Sequence, residues 1–152
     1  MRIRTRLLVS AMVGIILGLP AAGDTVSRAE RELFTSVNHA RRAGGLAPLR
    51  WDNALAAAAR RHAEVMAQRG SAQHGFAGEP SLTARVKQAG GHFSWLSENV
   101  TEGPSATFIH SQLMNSPSHR ANILDRDMDS IGIGVVERRG QLFAVEDLSQ
   151  AR

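Results

Sequence analysis

The chain has 152 residues, no cysteine and a formal net charge of +4, of which three charges belong to arginines within the first six residues. Residues 24–152 therefore carry a net charge of +1, which gives no electrostatic reason to expect nucleic acid as a partner. The lack of cysteine excludes disulfides, thiol nucleophiles and cysteine-ligated zinc sites.

The first residues have the layout of a secretory signal peptide. The arginine-rich start is followed by an apolar run over residues 7–19 and by small residues up to Gly23. The run is too short to be a good membrane span, so we predict a signal peptide over residues 1–23, cleaved before Asp24. An uncleaved N-terminal anchor is the alternative. Residues 24–152 are then a single secreted or periplasmic domain, expected to be a monomer with no stable membrane span after cleavage.

Two segments with apolar residues at helical spacing predict the first two helices, over residues 27–43 and 53–68. Gly44 ends the first helix, and Asp52 is a good N-cap for the second. His62 falls on the apolar face of the second helix. We interpret it as a histidine at the edge of the core that makes a hydrogen bond, with a ligand role as the alternative.

A loop histidine and a mid-chain carboxylate are the first candidates for chemistry. Residues 71–79 lack periodicity and form a predicted loop that contains His74. Glu98 lies between Leu96 and Val100, and alternation places it on the same face as these apolar residues. A carboxylate there needs a partner or becomes protonated. The alternative is a solvated acid at the edge of a loop.

A second histidine occupies the start of a short helix. After a predicted helix over residues 105–114, Ser116 and Pro117 are a typical helix start. His119 is then the third helical residue, and Ile123 lies one turn further on the same face, where it can anchor the helix in the core. The positive end of the helix favours the neutral ring that a metal ligand or general base requires. A surface histidine beside a helix cap is the alternative.

The C-terminal part predicts a β-hairpin. Residues 131–136 alternate and are β-branched, and residues 142–148 form the returning strand. Gly132 and Gly134 leave one face of the first strand without side chains, which indicates close packing of another element there. A helix-rich first half and this hairpin together favour a layered α+β domain.

Several motifs in a fixed order give the chain a family resemblance. They are N-x-x-R and G-L-x-P-L-x-W-D within residues 38–52, the loop histidine His74, the pair Glu98-Asn99, and S-P-S-H-R-A-N-I-L at residues 116–124. This set resembles the bacterial branch of the CAP superfamily (SCP-like extracellular domains), which includes cysteine-rich secretory proteins, antigen 5 and plant pathogenesis-related class 1 proteins. The similarity extends from residue 33 to about residue 149.

The resemblance implies a three-layer α-β-α sandwich with a cleft lined by two histidines and two glutamates that can hold a divalent metal such as zinc. Matched position by position, His74 is the first histidine, Glu98 the first glutamate and His119 the second histidine. The position of the second glutamate falls at Ser116. The family's second acid is therefore missing from this sequence.

Three functions remain open at this point. The first is a secreted binding module whose His74, Glu98 and His119 cleft takes a small apolar ligand, a cell-envelope component or a protein. The second is a metal-assisted hydrolase in which zinc lowers the pKa of a bound water, although the H-E-x-x-H pattern is absent from the sequence. The third is a structural domain with a closed polar cluster. Phe93 and Trp95 are expected in the core, with a groove-lining role as the alternative.

Overall fold

A computed structural model describes residues 25–151. The predicted signal peptide and its cleavage point lie outside the described residues. The elements in chain order are α1 (Arg28–Ala43), β1 (Arg50–Trp51), α2 (Asn53–Arg69), α3 (Leu82–Gln88), β2 (Trp95–Gly103), α4 (Ala106–Asn115), α5 (Pro117–Ile123), β3 (Ser130–Arg138) and β4 (Gln141–Gln150).

The four strands form one sheet in the order β1-β3-β4-β2. The short β1 runs parallel to β3, and β4 is antiparallel to both β3 and β2. Helices α2 and α3 cover one face, while α1, α4 and α5 cover the other. The predicted three-layer α-β-α sandwich is confirmed.

The glycines of β3 allow α2 to lie directly on the sheet. A Cβ atom at Gly132 would lie 2.0 Å from the backbone nitrogen of Ala56, and one at Gly134 would lie 2.2 Å from that of Arg60. No side chain fits in either gap. The close packing predicted from these two glycines is confirmed, and α2 is the element that packs there.

The opposite face carries the larger apolar core. Leu33 of α1, Ile109 of α4 and Ile123 of α5 are fully buried against Ile131 and Leu148 of the sheet. Ile123 therefore anchors α5 as the sequence predicts. This anchor fixes the short helix that carries His119.

Two strands and one aromatic residue differ from the sequence expectations. The sequence predicts only the C-terminal hairpin, whereas β1 and β2 also join the sheet. The expectation that Trp95 lies in the core is wrong, because its exposed fraction is 63%. Trp95 is the first residue of β2, which lies at the edge of the sheet and has a neighbouring strand on one side only. Phe93 is half-buried and packs against the core between α2 and α3.

Within residues 25–151, none of the helices has the length and apolar character needed to cross a membrane.

Candidate functional site

The three residues named from the sequence lie on three different elements around the edge strand. His74 is in the loop between α2 and α3, Glu98 is in β2, and His119 is in the first turn of α5. The structure joins the first two directly, because His74 Nδ1 lies 2.9 Å from Glu98 Oε1. The side chain of Glu98 is almost fully buried, whereas that of His74 is 62% exposed. A buried carboxylate therefore orients an accessible imidazole.

His119 is close enough to His74 for their charges to interact. Burial, and secondly the positive charge of His74, lower the pKa of His119. The position of His119 at the helix start also predicted a neutral ring. In the structure, the causes of the lowered pKa are burial and the charge of His74. The predicted cap is also different: the Ser116 side chain makes no capping hydrogen bond and instead lies 3.3 Å from the Ser118 hydroxyl.

A buried arginine holds the second oxygen of the Glu98 carboxylate. Arg85 of α3 donates from Nη2 to Glu98 Oε2 and from Nη1 to the carbonyl of Pro80 at 3.1 Å. Arg85 is 3% exposed, so the ion pair is withdrawn from water on both sides. The carboxylate of Glu98 is therefore fixed from two directions, by His74 and by Arg85.

A second buried acid faces the same ion pair. Asp147 of β4 is directly opposite Glu98 in the strand register and is fully buried. Neither of its carboxylate oxygens has a hydrogen-bond donor among the described residues. Burial, and then the negative charge of Glu98, raise the pKa of Asp147 well above its usual value. Burial beside a second carboxylate therefore favours the neutral form of Asp147.

A separate polar network connects the sheet to α5 on the other face. Asn99 Nδ2 donates to Glu146 Oε2 at 3.1 Å and to the carbonyl of His119 at 3.3 Å. Asn99 Oδ1 accepts from Asn122 Nδ2 at 2.8 Å. The backbone that carries His119 is thus tied to a buried carboxylate of β4 through a single amide side chain.

Glu146 is expected to make stability depend on pH. Burial raises its pKa from 4.5 to about 7, against the opposing hydrogen bond from Asn99. The folded state therefore holds this proton more tightly than the unfolded state, and its stabilising contribution is complete below pH 4.5 and lost as the pH rises through about 7. Glutamine cannot ionise, so we expect Glu146→Gln to be more stable than the wild type at high pH, by up to about 3 kcal/mol in the free energy of unfolding.

Urea denaturation of the wild type and of Glu146→Gln at pH 4.5, 6 and 8 measures the effect. The difference in the free energy of unfolding between the two proteins should grow with pH, in favour of the variant. Glu64→Gln, on the exposed face of α2, is the control and should follow the wild type. A constant difference across this range would contradict a buried proton on Glu146.

The arrangement does not fit a three-ligand metal centre. Within residues 25–151, no group of three or more His, Cys, Asp or Glu side chains is placed so that it could hold a metal ion. Both oxygens of Glu98 are already engaged, one by His74 and one by a guanidinium.

The surface also has hollows away from the three candidate residues. One of about 450 Å³ lies between the first turn of α1 and the start of α4, and is lined by Ser27, Pro104 and Leu142 among others. It contains none of the three candidate residues. The site itself is recognised by a buried ion pair, Glu98 with Arg85, behind the exposed imidazole of His74.

Sequence reasoning did not find Arg85, Asp147 or Glu146. Arg85 gave no signal, since one arginine in a short polar helix is ordinary. The acidic pair at residues 146–147 did give a signal, because these two carboxylates stand between the apolar residues Val145 and Leu148 of a predicted strand. Charged residues in a buried strand require partners or protons.

Two curated proteins of Bacillus subtilis are similar in sequence. The protein YkwD is 30% identical over 118 residues, which is 77% of this chain and 46% of YkwD. The membrane protein YlbC is 30% identical over 110 residues, which is 70% of this chain and 31% of YlbC. The chain thus spans less than half the length of either relative.

Solved structures share the fold. An extracellular protein of Bacillus anthracis that contains an SCP domain matches with a TM-score of 0.75 and 22% identity, covering 80% of this chain and 40% of that one. An outer surface protein of Borrelia burgdorferi matches with a TM-score of 0.75 and 19% identity, covering 82% of this chain and 93% of that one. A match to the family described as "CAP: Cysteine-rich secretory protein family" spans residues 34–147. Because this match covers most of the described residues, the chain belongs to the cysteine-rich secretory protein (CAP) family.

Proposed function

We propose that the chain is a secreted binding module that uses His74, Glu98 and His119 to bind a small amphipathic ligand or a component of the cell envelope. Secretion is supported by the predicted signal peptide over residues 1–23. It is also supported by the two similar structures, since one is called extracellular and the other an outer surface protein. The proposal concerns the binding function of this domain.

The observation that carries the proposal is the exposed but fixed ring of His74. Its Nδ1 is engaged by a buried carboxylate that Arg85 holds in turn, so Nε2 is the nitrogen left to meet a ligand. A polar group held in one orientation before binding loses little entropy when the ligand arrives. The lowered pKa of His119 keeps the neighbouring ring neutral and able to accept a hydrogen bond.

An apolar contact for such a ligand is available on the same strand. Trp95 is 63% exposed at the start of β2, three residues before Glu98. By strand alternation it shares the α5 side of β2 with Asn99, whose amide bonds the carbonyl of His119, and it lies on the opposite side from the Glu98 side chain, so a ligand that meets both has to cross the edge of the sheet. An exposed tryptophan is typical of surfaces that bind partners with apolar and polar parts.

A structural role for the cluster is the second candidate. It is favoured by the burial of Glu98, Arg85 and Asp147, which join α3 to two strands regardless of any ligand. In that case His74 only completes the hydrogen bonding of Glu98. Replacing His74 should remove ligand binding if the domain is a binding module, and should only lower stability if the cluster is structural.

Native mass spectrometry of protein secreted by its own host tests the binding function. We expect a bound amphipathic molecule on the wild type and on His39→Ala, an exposed histidine of α1 that serves as control. His74→Ala and Trp95→Ala should each lose most of the bound mass, because one removes the polar anchor and the other the apolar contact. The melting temperature of each variant is measured in parallel.

Two results separate the candidates. Protein that is free of bound molecules in repeated preparations, together with a lowered melting temperature of His74→Ala, would leave only the structural role. A bound molecule that His74→Ala retains would place the binding surface elsewhere on the domain.

A further inference from the structure

A half-exposed aromatic ring borders a hollow on the exposed face of α4. Phe108 is 50% exposed, and the hollow beside it, of about 390 Å³, is lined by Phe108, Ser111, Gln112, Asn115 and Ser116. Phe108 precedes Ser111 and Gln112 by three and four residues, and Asn115 follows one turn later, so these four side chains share one face of the helix. The hollow has the size of a site for a small molecule.

The end of the edge strand β2 holds the Phe108 ring in place. A Cβ atom at Gly103, the last residue of β2, would lie 2.6 Å from Phe108 Cδ1 and 3.1 Å from Cε1. The ring therefore lies directly against the glycine backbone, while half of the residue stays exposed. An apolar surface that is fixed before binding loses little conformational entropy when a ligand covers it.

The side-chain amide of Gln112 is fixed by the same strand. Its Oε1 accepts a hydrogen bond from the hydroxyl of Thr101, a buried residue of β2. Within residues 25–151, the two N–H groups of Gln112 Nε2 have no acceptor. Because Thr101 holds the amide oxygen, these free donors have a defined orientation at the hollow.

The far end of the hollow adds acceptors and hydroxyl groups. Asn115 Nδ2 lies 3.5 Å from the Ser111 hydroxyl, and Asn115 Oδ1 has no donor in the part of the chain that the structure describes. The hydroxyl of Ser116 lies 3.3 Å from that of Ser118. A hydroxyl can both donate and accept a hydrogen bond. The hollow therefore combines an apolar ring with donors and acceptors that suit a ligand rich in hydroxyl groups.

The charge of the lining narrows the class of ligand further. None of the five lining residues is acidic or basic. Arg120 donates to the carbonyl of Met114 at 3.2 Å and is not part of the lining. The hollow between α1 and α4, in contrast, includes Arg28, Glu32 and Glu137. An ionic ligand would lose hydration at the neutral lining without gaining a partner, so the lining favours an uncharged ligand.

We propose that the hollow beside Phe108 binds one neutral pyranose unit of a polysaccharide. A pyranose has an apolar face of C–H groups, which covers the Phe108 ring, and hydroxyl groups at its edge, which meet the Gln112 donors and the Asn115 acceptor. The three residues of the candidate site do not line this hollow. The proposal therefore goes beyond the function proposed for them and does not depend on it.

NMR titration of the intact protein with two neutral trisaccharides, cellotriose and triacetylchitotriose, tests the proposal. We expect the Phe108 ring and the side-chain amide of Gln112 to shift first, at sugar concentrations of several millimolar. Binding of triacetylchitotriose alone would assign the site to an N-acetylhexosamine. Binding of both would assign it to the pyranose ring that they share.

Variants of α4 locate the binding surface. Phe108→Ala removes the stacking face and should weaken binding more than about tenfold. Gln112→Glu keeps an acceptor for Thr101 but replaces the two free donors by an oxygen, so it should weaken binding about tenfold, as the loss of one hydrogen bond predicts. Thr107→Ala, exposed on another face of α4, is the matched control and should bind like the wild type. The amide spectrum of each variant reports whether it is folded.

A wild-type protein whose resonances do not respond to either trisaccharide would overturn the proposal, and this result needs no variant. Shifts confined to residues outside α4 and the end of β2, or an unchanged affinity of both Phe108→Ala and Gln112→Glu, would overturn it as well. If the trisaccharides bind and native mass spectrometry finds no ligand at His74, the sugar site stands and the function proposed for His74 fails.

Discussion

Replacing Arg85 by methionine is expected to lower the free energy of unfolding by about 3–5 kcal/mol. The variant leaves the carboxylate of Glu98 buried without its guanidinium partner and facing Asp147, whose pKa is raised by burial and then by the charge of Glu98. Methionine keeps most of the side-chain volume of arginine, so the lost stability reports the missing positive charge and not a new cavity. Urea denaturation at pH 7 gives the value.

The same helix and the neighbouring strand β2 supply the controls. Lys87→Met removes an exposed positive charge from the same helix and should change the free energy of unfolding by less than about 0.5 kcal/mol. Adding Glu98→Gln to Arg85→Met should recover part of the loss, since the uncompensated charge is then gone. An Arg85→Met protein as stable as the wild type would show that Glu98 and Arg85 do not form a buried pair.

Gly132→Ala is expected to cost more than about 3 kcal/mol or to prevent folding, which is above the usual range for overpacking. The added Cβ would lie 2.0 Å from the nitrogen of Ala56 and 2.3 Å from the carbonyl carbon of Leu55. These are backbone atoms of α2, so no side chain can rotate away and the whole helix has to move off the sheet.

Thermal unfolding followed by circular dichroism measures this loss. Gly75→Ala is the matched control, because a Cβ at Gly75 meets nothing within 4 Å. It should leave the melting temperature close to that of the wild type. If Gly132→Ala were equally mild, the contact between α2 and β3 would have to be looser than the structure places it.

Features encoded by local pattern were predictable from the sequence. The closeness of α2 was predicted because alternating glycines leave a visible gap in a β-branched strand. The start of α5 was predicted because Ser116-Pro117 restricts the backbone within two residues. The order of the motifs then placed His74 and Glu98 together, and the structure joins them at 2.9 Å.

Features that depend on contacts between distant residues were not predictable. Alternation was used only to place Glu98 beside Leu96 and Val100, and the strand β2 as a whole was missed because Glu98, Asn99 and Thr101 are polar yet buried. Their partners come from other elements: Arg85 for Glu98, Glu146 for Asn99 and Gln112 for Thr101. Trp95 was misplaced for a similar reason, since an edge position is a property of the sheet and not of the residue.

The sheet order also determines when the fold can be completed. The strand β4, which follows every other element in sequence, lies between β3 and β2, and β2 pairs with the rest of the sheet only through it. A nascent chain that emerges from its N-terminus therefore cannot attach β2 until residues 141–150 have left the ribosome. Such non-local pairing delays folding. Under the proposed secretion, the chain would be threaded through a translocon while still unfolded, and this delay would favour that step.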